Sequence, residues 1–197
     1  MQLILSLFKA AYETLLAPRQ MAHNVKDIQM PRQQRWQALI LVAALSAVLS
    51  YLSYYAINLT SENTIDLPSK SGPFGLFFLQ ITTMFTLVFA IQLVGSWAGG
   101  TGTLDETILL VAWMQFVLVS LQILQVIFIF ISPVIAFLIG LAGVVLVLVL
   151  LTVFISALHG FKSLPGVFLS MLVVLVVFAS ILGAVLKALG IDIEGVL

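Results

Sequence analysis

No cysteine occurs among the 197 residues, which excludes disulfides, thiol nucleophiles and cysteine-ligated metals. Charge is nearly as scarce: Asp, Glu, Lys and Arg make up 8% of the chain, against 62% hydrophobic residues and a mean hydropathy of +1.22. A soluble domain carries roughly 25% charged residues. A soluble fold of this size would lack the polar side chains needed to cover its surface, and a bilayer removes that requirement. The formal net charge of +0 argues against nucleic acid as a partner. Two histidines, His23 and His159, are too few imidazoles for an ordinary zinc site. There is no Walker loop and no His-Glu-x-x-His, nor a Gly-x-Ser-x-Gly elbow. Neither a cofactor nor a catalytic residue is expected, and the chain reads as non-enzymatic.

The stretches without charge are long. No acid, lysine or arginine occurs over 36–61, 71–104, 107–161 or 163–186. A spanning helix needs about 20 apolar residues, so the first, second and fourth tracts each hold one span. The third, about 55 residues, would reach roughly 80 Å as one helix. It must turn inside a hydrocarbon core of about 30 Å, and Ser132-Pro133 marks the place. These tracts predict an all-α polytopic transmembrane bundle of about five spans, near 36–57, 74–97, 105–131, 134–158 and 166–189. All six prolines fall at or outside the span ends, where a missing N–H costs little. Trp36 and Trp97 mark inner span ends, and Tyr51, Tyr54 and Tyr55 an outer one.

Orientation follows from Lys and Arg. With the N-terminus inside, Lys9, Arg19, Lys26, Arg32, Arg35 and Lys162 are cytoplasmic, whereas Lys70 and Lys187 are outside. The expectation is a multi-pass protein of the bacterial inner membrane, with its C-terminus periplasmic and the lipid bilayer as its constant partner. Residues 1–35 form a cytoplasmic N-terminal segment and 36–197 the transmembrane domain. Within the first, Leu3, Ile4, Leu7, Phe8, Ala11 and Leu15 recur at helical spacing, giving an amphipathic helix that either lies on the leaflet or packs on the bundle. From Pro18 to Arg35 the chain reads as a polar, basic connector able to rest on anionic headgroups.

An offset of 60 residues aligns Ser96, Gly100, Leu104 and Leu109 with Ser156, Gly160, Leu164 and Leu169, as in a parallel repeat of two helical hairpins. Thr103 and Glu106 have the spacing of a capping box. Ser163 can cap the last span, with Pro165 in its first turn. Gly99, Gly100 and Gly102 permit a tight left-handed turn. Residues 95–107 (GSWAGGTGTLDET) and 157–165 (ALHGFKSLP) resemble the two short cytoplasmic turns of the Yip family of Ypt/Rab-interacting membrane proteins. The Leu16-Ala-Pro18 start followed by a polar connector is similar to bacterial members. The resemblance implies five spans, a cytoplasmic N-terminus, and, from eukaryotic relatives, a role in vesicle traffic, membrane shaping and small-GTPase binding. The chain departs from those relatives in lacking a long N-terminal domain and the Asp-Leu-Tyr-Gly-Pro motif, which argues against GTPase binding.

Two sets of candidate functional residues emerge. The first is the pair of turns: Gly99, Gly100, Asp105 and Glu106 on one, His159 and Lys162 on the other. Lys162 is expected to pair with Asp105 or Glu106 and clip the turns together, with Arg32 or Arg35 as competitors for the acids. The second is a helix-packing or partner face. Gln115, Gln122 and Gln125 share a side of the third span, and serve either as interhelical hydrogen-bonding groups or as a polar pathway. Small-xxx-small pairs, Ala43/Ala47, Ala136/Gly140 and Ala179/Gly183, allow close helix contact. Two functions fit: a scaffold or accessory subunit bound to another membrane protein or to itself, possible in membrane organisation or trafficking, or a small transporter or lipid-handling protein using the glutamines.

Overall fold

In the computed structural model, which describes residues 2–60 and 72–188, the protein is an all-α bundle. The elements among the described residues are α1 (Gln2–Leu16), α2 (Pro18–Lys26), α3 (Arg32–Thr60), α4 (Gly72–Trp97), α5 (Leu104–Ile131), α6 (Pro133–His159) and α7 (Leu164–Ala188). Helices α3 to α6 are each long and apolar enough to cross a bilayer. Helix α7 is an apolar helix of 25 residues. The expected break within the longest tract falls at Ser132, which ends α5 and starts α6: its N–H donates to Phe128 O, and its Oγ accepts from Ile135 N–H ahead of Pro133.

Helix α5 is the centre of the bundle, in contact with α1, α2, α3, α4 and α6, whereas α7 touches α6 alone among the described helices. The first half of α5 is therefore almost wholly buried, from Thr107 through Ala112. Ala43 and Ala47 of α3 are buried, as is Ala136 of α6. A Cβ at Gly140 would meet Gln125 Nε2. Small residues thus admit the neighbouring helix, as expected in a membrane where close packing replaces a hydrophobic driving force between helices. Outward faces keep large apolar side chains such as Phe137, Leu141, Val145, Leu169 and Val173 exposed, which a lipid solvent permits. The surroundings of Ala179 and Gly183 lie outside the described residues.

Of the two placements open to the N-terminal helix the bundle is the one found, and the connector after it differs from expectation. Helix α1 packs on the bundle: Trp113 Nε1 donates to Thr14 Oγ1 at 3.1 Å, Phe8 and Phe116 lie 6.0 Å apart, and Ala11 and Thr14 are buried. Yet Leu5, Tyr12 and Leu16 on its other side are more than half exposed, so the helix is apolar around most of its circumference. Phe116 is 12 residues into α5, roughly 18 Å along its axis, so α1 reaches well along the side of α5 from the turn end. The expected connector, in turn, is partly a helix. Pro18 occupies the first turn of α2, and Ala22 and Val25 are buried against α5 and α6. Two small anchors in an otherwise polar stretch leave too faint a period to read as an amphipathic helix.

Candidate functional site

The α4–α5 and α6–α7 turns meet at one end of the bundle. Each begins alike. Gly99 (φ 83°) and Gly160 (φ 73°) take the left-handed conformation, and the next residue's N–H reaches back five positions, Gly100 to Gly95 O at 2.8 Å and Phe161 to Ser156 O at 3.0 Å. This is the Schellman closure of a helix C-terminus. Each also ends alike, on a hydroxyl cap: Thr103 forms the full capping box with Glu106, and Ser163 Oγ accepts from Gly166 N–H at 3.2 Å. The caps keep the 60-residue offset while the glycines are 61 apart, so the first turn carries one extra residue.

That longer turn wraps around His159. The imidazole is 3% exposed. Its Nδ1 accepts from Gly102 N–H at 3.3 Å, its carbonyl accepts from Thr101 N–H at 3.4 Å, and its ring stacks on Phe161 with centroids 5.6 Å apart. The bond at Nδ1 assigns the neutral ring's proton to Nε2. Nε2 has no hydrogen-bond partner among the described residues. Gly95 and Gly100 flank the ring on opposite edges: a Cβ on Gly95 would collide with Nε2, and one on Gly100 with Nδ1 and Cβ. Gly102 stands equally close to Leu158. Gly99 therefore serves by its backbone conformation, as expected, but Gly100 and Gly102 serve by lacking a side chain.

Lys162 does not make the expected ion pair. Glu106 is paired with Lys26 of α2 (3.7 Å), whose Nζ also donates to Leu158 O at 3.4 Å. Asp105 faces Arg32 of α3 at 3.3 Å; the contact has ion-pair distance without hydrogen-bond geometry, and Asp105 Oδ1 has no hydrogen-bond partner. The competing arrangement, with Arg32 taking an acid, is the one found. Lys162 instead lines a cleft with Arg19 and His23 of α2, and α2 brings Lys26 to Glu106 at the start of α5. The turns are joined, but by a histidine and backbone groups. Sequence inspection also missed Gln92, whose Oε1 accepts from the buried Thr107 hydroxyl at 2.9 Å and whose Nε2 donates to Gly102 O at 3.0 Å. A glutamine near the end of an apolar helix carries no signal that it holds a loop two helical turns away.

The α5 glutamines do not act together. Gln122 accepts from Ser46 Oγ at 3.4 Å and donates to Ser50 Oγ at 3.0 Å on α3. Gln125 packs on Gly140 of α6. Gln115 is half-buried without a hydrogen bond that joins it to the others. A small cavity of about 10 Å³ is lined by apolar groups and Thr107, and a larger cleft of about 330 Å³ lies between α2 and the α6–α7 turn. Neither is lined by a glutamine.

No curated protein and no solved structure matches the chain. The comparison with protein families does give a match, to the Yip1 domain over residues 12–185. That range takes in the end of α1, α2, both turns and nearly all of α7. With a polytopic apolar bundle and two glycine-containing turns locked together at one end, the chain is a member of the Yip1-domain family of membrane proteins.

Proposed function

We propose that this protein is a non-enzymatic scaffold or accessory subunit of a membrane complex, of the bacterial Yip type, acting in membrane organisation or trafficking through the face made by its two turns. The observation that carries the reading is the use of several polar groups between the turns in construction. His159 and Gln92 hold backbone, Glu106 closes a cap, and Lys26 bridges α2 to both turns. A surface so braced presents a fixed shape to a partner. The transporter alternative draws less support, because Gln122 and Gln125 are engaged with α3 and α6. A photo-reactive residue at the exposed Thr101 or Lys162 should crosslink a recurrent membrane-protein partner or a second copy, and one at the lipid-facing Leu141 should not. Crosslinks from the turns no more frequent than from Leu141 would sink the proposal.

In this reading the turn end faces the cytoplasm, as the Lys and Arg distribution requires, in the inner membrane with the C-terminus periplasmic. Because the chain has no cysteine, Ser61→Cys and Thr101→Cys can be labelled singly in cells. An impermeant maleimide is expected to reach Ser61→Cys from outside, and Thr101→Cys after the membrane is opened. Labelling of both from outside would reject the orientation.

A further inference from the structure

The larger cleft has a composition unlike the rest of the bundle. It lies between α2 and the α6–α7 turn, has a volume of about 330 Å³, and carries Arg19, His23 and Lys162 at its rim. No carboxylate lines it, and among the described residues none of these three side chains has an ion pair or a side-chain hydrogen bond. That contrasts with Lys26 and Arg32 close by, both of which face acids. The inner wall is mostly apolar, formed by Val153, Ala157 and Phe161 with Ser156 and Gly160, and the Ser156 hydroxyl is taken up by Phe161 O at 2.7 Å. Val153 continues at helical steps of four into Val149 and Val145, which are 47% and 56% exposed. A basic mouth therefore opens onto an apolar helix stripe, at the end of the spans where headgroups reside.

We propose that this cleft is a binding site for one anionic phospholipid, with the phosphate held by Arg19 and Lys162, the headgroup or glycerol beside His23, and an acyl chain laid along Val153, Val149 and Val145. A compact phosphate ester fits the volume, and charge complementarity selects an anion: two cations line one cleft with no acid there to neutralise them. Arg offers a planar fork for phosphate and Lys a point charge. The apolar continuation selects a membrane lipid over a soluble anion, since a free phosphate would leave that wall unused. The site does not depend on the scaffold reading, only on the protein lying in a bilayer.

The test is native mass spectrometry of the full chain in detergent, titrated with phosphatidylglycerol and, separately, with phosphatidylcholine. One phosphatidylglycerol should be retained selectively. A basic residue near a lipid surface contributes about fivefold in affinity, so R19Q/K162Q should weaken that adduct by roughly 25-fold. The charge-matched K9Q/R32Q should retain it, as should the conservative exchange R19K/K162R to within a few fold. Lys9 and Arg32 lie outside the cleft, so equal weakening by both double variants would mean diffuse attraction and would overturn the site. Undiminished binding by R19Q/K162Q would overturn it as well. Melting temperature checks that this variant is folded; should it not be, Ala157→Phe, which fills the apolar wall, replaces it with the same expected loss. Excess inorganic phosphate should not displace the lipid. Full displacement would assign the cleft to soluble phosphate and end the lipid proposal.

Discussion

Gly95→Ala is expected to lower the melting temperature of the detergent-solubilised protein by roughly 4–8 °C, corresponding to about 2 kcal/mol at 2–4 °C per kcal/mol for a chain of this size. Taken alone, the substitution should favour the helix, because alanine is a better helix former than glycine by about 1 kcal/mol. Here the new methyl would occupy the space of the His159 imidazole edge. The ring cannot retreat, since Gly100 closes the opposite edge at Nδ1 and Cβ and Phe161 covers a face. Forcing extra volume into so tight a site costs about 3 kcal/mol, the upper end of the usual range, which leaves about 2 kcal/mol after the propensity gain. Removing the imidazole should free the position: Gly95→Ala in a His159→Ala background is expected to be near neutral, a coupling of at least about 1 kcal/mol in the double-mutant cycle. Gly99→Ala is a useful contrast. It has open space around it but φ of 83°, so its cost of about 1–2 kcal/mol comes from backbone conformation and should be indifferent to His159. If Gly95→Ala and His159→Ala prove additive, the histidine is not wedged between the glycines.

Gln92→Leu should produce a loss of similar size by a different route. The side chain is the bridge between α4, the Gly102 carbonyl and the Thr107 hydroxyl, and Gly102 and Thr107 are both buried. Leucine fills much of the volume but leaves the carbonyl without its donor, and a buried polar group left unsatisfied costs about 1–3 kcal/mol. Thr107→Val should cost less. That hydroxyl shares its one proton between Gln92 Oε1 and Thr103 O, each at 2.9 Å, and its loss leaves Gln92 Nε2 free to keep Gly102. The distinguishing readout is amide hydrogen exchange in residues 98–103, which should accelerate in Gln92→Leu and stay near the unmodified level in Thr107→Val. Equal protection of the loop in Gln92→Leu would show that the His159 contacts hold it unaided.

Membrane character, the helical architecture and the break at Ser132-Pro133 were determined by the sequence itself. They follow from local quantities: uninterrupted apolar length against a fixed bilayer thickness, proline at helix starts, and hydroxyl-to-acid spacing at Thr103 and Glu106. The match of residues 95–107 and 157–165 to a family pattern belongs to the same layer, because turns and caps are encoded within a few residues. Which groups meet across those turns was not legible. Asp105, Glu106, Lys162, Arg32 and Lys26 could be paired in several ways by charge alone, and the choice depended on α2 docking through Ala22 and Val25, which brings Lys26 to Glu106. The glutamines illustrate the same division. Their common face on α5 could be read from a spacing of seven and three, but α3 and α6 lie on different sides of that face, so packing engaged Gln122 with one and Gln125 with the other. Helix spacing is a property of one helix, whereas a polar group's partner is a property of the neighbour that covers it.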